Sequence, residues 1–298
     1  MPLRRSAALL AIFCAFGLVL EATARFAVPR ISRIEKRIAE EYRAALAPPQ
    51  PGRRVVLVLG NSLLDAGVDF DRLRARLGPS FDTRRWVVEQ TSYWDWRFGL
   101  RRMFAEGARP DVVVLLLERH QIVANEYRGD YFAHRMMLAC DLPEVARSLH
   151  LHPTVAAGML AARLSAFWGL RSELRKVLLG RLMPDLPVLM GRLLTTPGAQ
   201  FSAAYLASAG RGRLASLRDT AAAGHARFVF VLMPGPGASL SQAAPLRAAA
   251  ASDHVTMISP LYDGRLKAAD FRDGFHLNEA GAARYTEALA LELRTVLK

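Results

Sequence analysis

The strongest constraint in this sequence is a repeating order of short apolar, β-rich runs and amphipathic stretches that often stop at a glycine. Val55 to Leu59 reads as a buried strand, and Phe70 to Leu77 as a helix stopped by Gly78. Trp86 to Val88 gives a second strand, and Trp94 to Glu106 a helix stopped by Gly107. Pro110-Asp111 launches Val112 to Leu117, an unbroken run of the kind buried on both faces of a sheet. Arg227 to Met233 and Val255 to Ile258 repeat the strand signature. A closing helix over Asn278 to Leu297 carries Leu289, Leu293 and Val296 on one side. Strands separated by helices call for a parallel sheet with right-handed crossovers, so the fold class is α/β.

Two regions stand outside this alternation. At the front, Arg4-Arg5 precedes an apolar run from Ala7 to Leu20, and Ala22-Thr23-Ala24 offers a small-x-small cleavage pattern behind it. Residues 1–24 therefore read as a signal peptide or a signal anchor, which implies an inner-membrane contact and a place in the bacterial cell envelope. Residues 25–52 follow as an amphipathic helix and a Pro-rich linker. Ser32-x-x-Glu35 fits a capping box, Ile31, Ile34, Ile38, Tyr42 and Leu46 recur at helical steps, and Pro48-Pro49-Gln50-Pro51-Gly52 ends the segment. The main domain is expected over 53–298. Within it, residues 131–206 show no strand, and Leu174, Val177, Leu178 and Leu182 near Trp168 suggest a helical insertion broken by Pro184 and Pro187.

Composition closes off several functions. The net charge is +13, but the 40 Lys and Arg residues are spread along the chain with no dense run, so no nucleic-acid partner is expected. The two cysteines, Cys14 and Cys140, build neither a disulfide framework nor a cysteine metal site. His150 and His152 have no acidic companion nearby. No metal and no cofactor are therefore expected.

In sheets of this class, ligands bind beyond the carboxyl ends of the strands. The first strand is followed by Gly60-Asn61-Ser62, where a small residue lets the chain turn and Ser62 opens a helix at the top of the sheet. This is not a Gly-x-Ser-x-Gly elbow, because Leu64 stands two beyond the serine, and no Gly-Lys-Ser/Thr makes it a P-loop. Near the other end, Asp273-Gly274-Phe275-His276 precedes the last helix, with Asn278 as its expected N-cap. A histidine that deprotonates a serine needs a partner to fix its tautomer, and an aspartate three residues earlier in a turn supplies one. Tyr93, Trp94 and Trp96 would form either an aromatic platform for a sugar ring or part of the core.

With these blocks in place, the sequence resembles the SGNH (GDSL-like) hydrolases. Gly60-Asn61-Ser62 is similar to that family's Gly-Asp-Ser block, and Asp273 and His276, continued by Leu277, Asn278 and Gly281, are similar to its Asp-x-x-His block. The resemblance covers roughly residues 53–125 and 227–298. It implies a flavodoxin-like three-layer fold, with Ser62 as nucleophile, His276 as general base and Asp273 as its orienting partner. The family's second-block glycine is replaced by Gln90-Thr91-Ser92, and its third-block Gly-x-Asn-Asp by Glu118-Arg119-His120-Gln121. Ser92, through its backbone N–H, and His120 or Gln121 are then the candidate oxyanion or substrate contacts, unless the site is impaired. The resemblance implies an exported serine esterase or O-acyltransferase acting on acyl esters, with O-acetyl groups of envelope polysaccharide as the expected substrate. Its alternatives are a lipid esterase and a non-catalytic glycan-binding or scaffold module of an envelope assembly complex.

Overall fold

Five apolar runs pair side by side in a computed structural model of the protein, which describes residues 2–183, 185 and 201–298. The strands are β1 (Arg54–Gly60), β2 (Phe81–Val87), β3 (Val112–Leu117), β4 (Arg227–Leu232) and β5 (Thr256–Ile258). All neighbours are parallel, in the order β2-β1-β3-β4-β5. This is the flavodoxin-like order, and the order reverses at β1, which lies between β2 and β3. Every residue of β3 is fully buried, as a central strand covered on both faces must be.

One face of the sheet presents Val56, Val58, Val114, Leu116 and Val231 to the helices Ser62–Gly67, Phe70–Leu77 and Glu279–Leu297, whose Leu64, Leu73, Leu289 and Leu293 complete that core. The alternate residues, including Leu57, Leu115 and Phe230, are buried on the other face, where helices Tyr93–Ala105, Ala203–Ala223 and Leu240–Ser252 pack. Period-two side chains on the strands thus produce three layers.

The second strand begins five residues earlier than the sequence pattern suggests. Phe81 pairs with Arg54 and the ladder runs to Val87 opposite Gly60. The polar run Asp82-Thr83-Arg84-Arg85 conceals this strand because its partners come from far along the chain. Arg84 donates to the Ala47 and Pro48 carbonyls at 2.5 and 2.8 Å and to Asp82. Arg85 pairs with Glu41 at 2.7 Å. Glu41 and Tyr42 lie on helix Arg33–Leu46; the Tyr42 ring sits 4.7 Å from that of Trp86, and the Glu41 carboxylate accepts from the Val87 N–H at 2.8 Å. A side-chain carboxylate thereby satisfies a backbone donor on the edge strand, which would otherwise offer its backbone to another chain.

The chain divides into two units. The described parts of Glu40–Arg128 and Gly198–Lys298 form the sheet unit, and those of Met1–Ala39 and Gly129–Pro197 form a helical unit. The expected insertion thus folds with the N-terminal segment, while helix Ala203–Ala223 belongs to the sheet unit and packs on β4. The expected break at Pro184 and Pro187 lies outside the described residues. In the helical unit, helix Pro2–Phe26 runs without interruption through Ala22-Thr23-Ala24, so the helix outlasts the Ala7–Leu20 apolar run. Of the expected capping box at Ser32, one half forms: the Glu35 N–H donates to the Ser32 hydroxyl at 3.2 Å, whereas the Ser32 N–H goes to the Val28 carbonyl.

Replacing Glu41 by Ala leaves the Val87 N–H buried without a partner. It should lower stability by about 1–3 kcal/mol, while Glu41→Gln, which keeps an acceptor, should lower it less. Denaturant unfolding of the detergent-solubilised protein measures both.

Candidate active site

At the carboxyl end of β1 three pieces of backbone meet. A Cβ on Gly60 would lie 2.9 Å from the Leu64 Cβ and 3.0 Å from the Leu116 carbonyl of the neighbouring strand, so only glycine lets the chain turn there. Asn61 follows, fully buried, as the N-cap of helix Ser62–Gly67. Its Oδ1 accepts from the Leu63 N–H at 3.0 Å, which leaves Nδ2 to donate to the Thr91 carbonyl at 2.8 Å. The backbone partners fix the amide's orientation. They also account for asparagine here, since an ionised aspartate has no proton to offer Thr91. Ser62 is then the first residue of its helix, with its hydroxyl half-buried and its N–H free of any intrahelical acceptor.

Asp273 and His276 reach this serine from the loop before helix Glu279–Leu297. His276 Nε2 stands 3.0 Å from Ser62 Oγ, and His276 Nδ1 stands 2.8 Å from Asp273 Oδ2. The other carboxylate oxygen, Asp273 Oδ1, accepts from the Phe275 and His276 N–H groups at 3.0 and 2.7 Å. The aspartate is thus tied to the backbone of the residue whose ring it orients. Burial pushes the Asp273 carboxyl upward, but the hydrogen bonds from His276 and Phe275 outweigh it and hold the group below the usual carboxylate range. Asp273 therefore stays ionised at neutral pH, and its Nδ1 contact fixes the tautomer in which Nε2 faces the serine as an acceptor.

The loop carrying the pair is anchored from below. Asn278 caps the last helix, accepting from Gly281 N–H at 3.0 Å and donating to the Ala269 carbonyl at 2.6 Å. A Cβ on Gly281 would come within 2.5 Å of the Asp270 carbonyl, so the glycine lets helix and loop touch. Arg272 N–H donates to the His276 carbonyl at 2.9 Å and closes the turn.

The remaining residues singled out from the sequence have other partners. Ser92 caps helix Tyr93–Ala105: its N–H donates to Asp95 Oδ2 at 2.9 Å, and its hydroxyl donates to the Glu126 carbonyl. That N–H is therefore engaged by Asp95 in this structure. Gln121 Oε1 accepts from the Glu118 N–H at 3.0 Å, and Glu118 in turn accepts from the His120 N–H at 2.6 Å, so these residues cap the short helix Arg119–Val123. His120 Nε2 lies 3.3 Å from Glu126, and its ring is tilted against Phe201 with 5.6 Å between centroids. Tyr93, Trp94 and Trp96 are all buried, Trp96 edge-on to Trp86, so they are core side chains and no sugar platform. Among the described residues no cluster of His, Cys, Asp or Glu has the arrangement of a metal site.

Two further residues hold this region together. Asp95, fully buried, joins the loops after β2 and β3 by accepting from Ser92 and from the Arg128 N–H at 2.9 Å. Arg213, on helix Ala203–Ala223, donates to the Ile122 and Ala124 carbonyls at 3.1 and 2.7 Å and to Asn125, beneath the rings of Tyr93 and Trp94. The Ser92-x-x-Asp95 spacing was available as a capping pattern. Arg213 sits some ninety positions from the loop it holds, and nothing local marks it.

No protein-family model matches the chain, and no curated protein matches it in sequence. Among solved structures it is similar to a candidate acylhydrolase of Bacteroides fragilis NCTC 9343, with 12% identity over 89% of this chain and 98% of that one and a TM-score of 0.44. It is also similar to a GDSL-like lipase of Bacteroides thetaiotaomicron VPI-5482, with 12% identity over 88% of this chain and 97% of that one and a TM-score of 0.44.

Asn61→Asp should destabilise the protein by about 1–3 kcal/mol at neutral pH, the usual cost of a buried polar group set against an unmatched partner. The loss should shrink in acid, where a protonated aspartate donates to Thr91 again; urea unfolding at pH 4.5 and 7.5 tests this. Asp95 titrates in the opposite sense to Asp273. Burial pushes its carboxyl up to about 6 against the Arg128 and Ser92 hydrogen bonds that lower it. A folded pKa above the unfolded one means that its stabilising contribution is complete below about pH 4 and fades as pH rises through 6, by about 3 kcal/mol at most. Asp95→Asn should flatten stability between pH 4 and 6, read from the same unfolding curves.

Proposed function

We propose that the protein is a serine esterase or O-acyltransferase of the SGNH type, working through an acyl-serine intermediate. The observation that carries this reading is the contact chain from Ser62 Oγ to His276 Nε2 at 3.0 Å and from His276 Nδ1 to Asp273 at 2.8 Å. Ser62 attacks the acyl carbonyl while His276 takes its proton, and Asp273 stabilises the imidazolium that results. The tetrahedral oxyanion develops beside the first turn of helix Ser62–Gly67, where the Ser62 N–H is a donor without an intrahelical acceptor. Collapse expels the alcohol, which takes the proton back from His276, and leaves the acyl group on Ser62. Water or a second hydroxyl, deprotonated by His276, then takes the acyl group and frees the serine.

Ser62 follows β1, the strand at which the order reverses, and a ligand crevice beside such a strand, which is usual in these sheets, supports the reading. The substrate class is an acyl ester. O-acetyl groups of cell-envelope polysaccharide are the reading we favour within that class, and an N-terminal helix long and apolar enough to cross a membrane supports a place in the envelope. The place of action is then the periplasmic side of the inner membrane.

A fluorophosphonate probe and p-nitrophenyl acetate test the proposal. Wild type should label and turn over the ester. Ser62→Ala should abolish labelling, and His276→Ala should slow turnover by about 10²–10⁴-fold. Equal ester turnover by wild type and Ser62→Ala would sink the serine mechanism. Folded wild type that never labels would point instead to a glycan-binding or scaffold module, a reading favoured by the engagement of Ser92 and Gln121 in helix caps.

A further inference from the structure

We infer that the N-terminal helix is a permanent membrane span rather than a removable leader, and that the corner joining helices Pro153–Leu164 and Ala166–Leu182 rests in the bilayer interface at its foot. The helix Pro2–Phe26 holds 25 residues, and its stretch Pro2–Leu20 ahead of Glu21 is about 28 Å long at the α-helical rise, close to the thickness of the hydrocarbon core of a bilayer. Its Leu9, Phe13, Phe16 and Val19 are all exposed, and almost none of the apolar stretch is covered by protein. An exposed apolar surface of that extent marks an interaction site, and on a helix of this length a bilayer suits it.

A leader that is cut away can carry nothing the mature fold depends on. This one carries Glu21, whose carboxylate accepts from the Ser165 hydroxyl at 2.8 Å, the Ala166 N–H at 2.9 Å and the Phe167 N–H at 3.1 Å. Glu21 thus caps the first turn of helix Ala166–Leu182 with a negative charge at its positive end. Ala24, the last residue of the Ala22-Thr23-Ala24 pattern, and Val28 beyond it are fully buried within the helical unit. Cutting after Ala24 would remove the cap and open that packing. The small-x-small pattern is therefore helix packing and not a processing site.

The same contact sets the depth of the corner. Ser165 touches Glu21, at the end of the span away from the N-terminus, so Leu164 and Trp168 lie where the helix leaves the hydrocarbon. Leu164 is 67% exposed and Trp168 40% exposed, and Leu160 lies one turn before Leu164 on the same face. The Arg171 guanidinium lies 4.4 Å from the Trp168 ring centroid, which gives the corner an aromatic body beside a cationic group. That combination suits the boundary between acyl chains and phosphate headgroups.

The test uses the full chain. Produced in a bacterial host and recovered from membranes, the protein should have the intact mass of the 298-residue chain, 32.8 kDa. The other three tryptophans, Trp86, Trp94 and Trp96, are buried in the sheet unit, so an interfacial quencher should report on Trp168. In vesicles of phosphatidylcholine brominated on the acyl chains, wild type should lose emission relative to unbrominated vesicles, and Trp168→Phe should lose none. A recovered chain that starts after Ala24 would overturn the permanent span. Emission unchanged by brominated lipid in correctly inserted wild type would overturn the seating of the corner.

Discussion

The close approach at Gly60 governs the geometry of the whole upper edge of the sheet. With no Cβ in the way, β1 ends against the Leu116 carbonyl of β3 and turns at once into the helix that carries Ser62. Asn61 then makes the turn rigid by binding in two directions, to the Leu63 N–H of its own helix and to the Thr91 carbonyl of the loop after β2. The loops after β1 and β2 are thereby brought together beside the end of β3 before any side chain of the candidate site is considered. The serine is held by backbone geometry, which is stiffer than a rotamer.

Around this point the structure uses one device repeatedly: a carboxylate accepts backbone N–H groups, from its own turn or from a distant segment. Glu41 holds the edge strand at Val87, Asp95 joins Ser92 to Arg128, and Asp273 holds the turn containing His276. In the helical unit Glu21 does the same for Ala166 and Phe167. These bonds differ in electrical consequence. Where backbone donors outweigh burial, as at Asp273, the carboxylate is favoured; where burial is complete, as at Asp95, the neutral acid gains ground. Asp273, the aspartate that faces the His276 ring, is the one whose charged form its hydrogen bonds favour.

Much of this was legible in the sequence, and the reason is locality. The six apolar residues of β3 announce a central strand, and Ser62, Asp273 and His276 sit at a strand end and before a helix, where short-range pattern is informative. The start of β2 was hidden because its polar residues are satisfied by Glu41, Ala47 and Pro48, some forty positions away. The cap that Ser92 forms was hidden for a related reason. Its N–H is a donor in any conformation, and only the fold shows that Asp95 has taken it. The signal segment was ambiguous because hydropathy sees the apolar run and not the cap that Glu21 forms with Ser165, a contact spanning 144 positions.

The engagement of Ser92, His120 and Gln121 bears on how the proposed reaction would stabilise its oxyanion. The Ser92 and His120 N–H groups and the Gln121 Oε1 held in helix caps are costly to release, because each would leave a carboxylate or an N–H unmatched. Backbone donors carry no such conflict at the first turn of a helix, where the N–H groups have no internal acceptor and the helix dipole already favours negative charge. An active site built this way would tolerate change in the loop after β3, since that loop has to be held in place rather than supply a particular amide. Arg213 and Asp95 meet that need, the first by binding the carbonyls of Ile122 and Ala124 and the second by binding the N–H of Arg128. The loop is thus fixed at both ends by residues outside it, and its own side chains are left to cap the helix they begin.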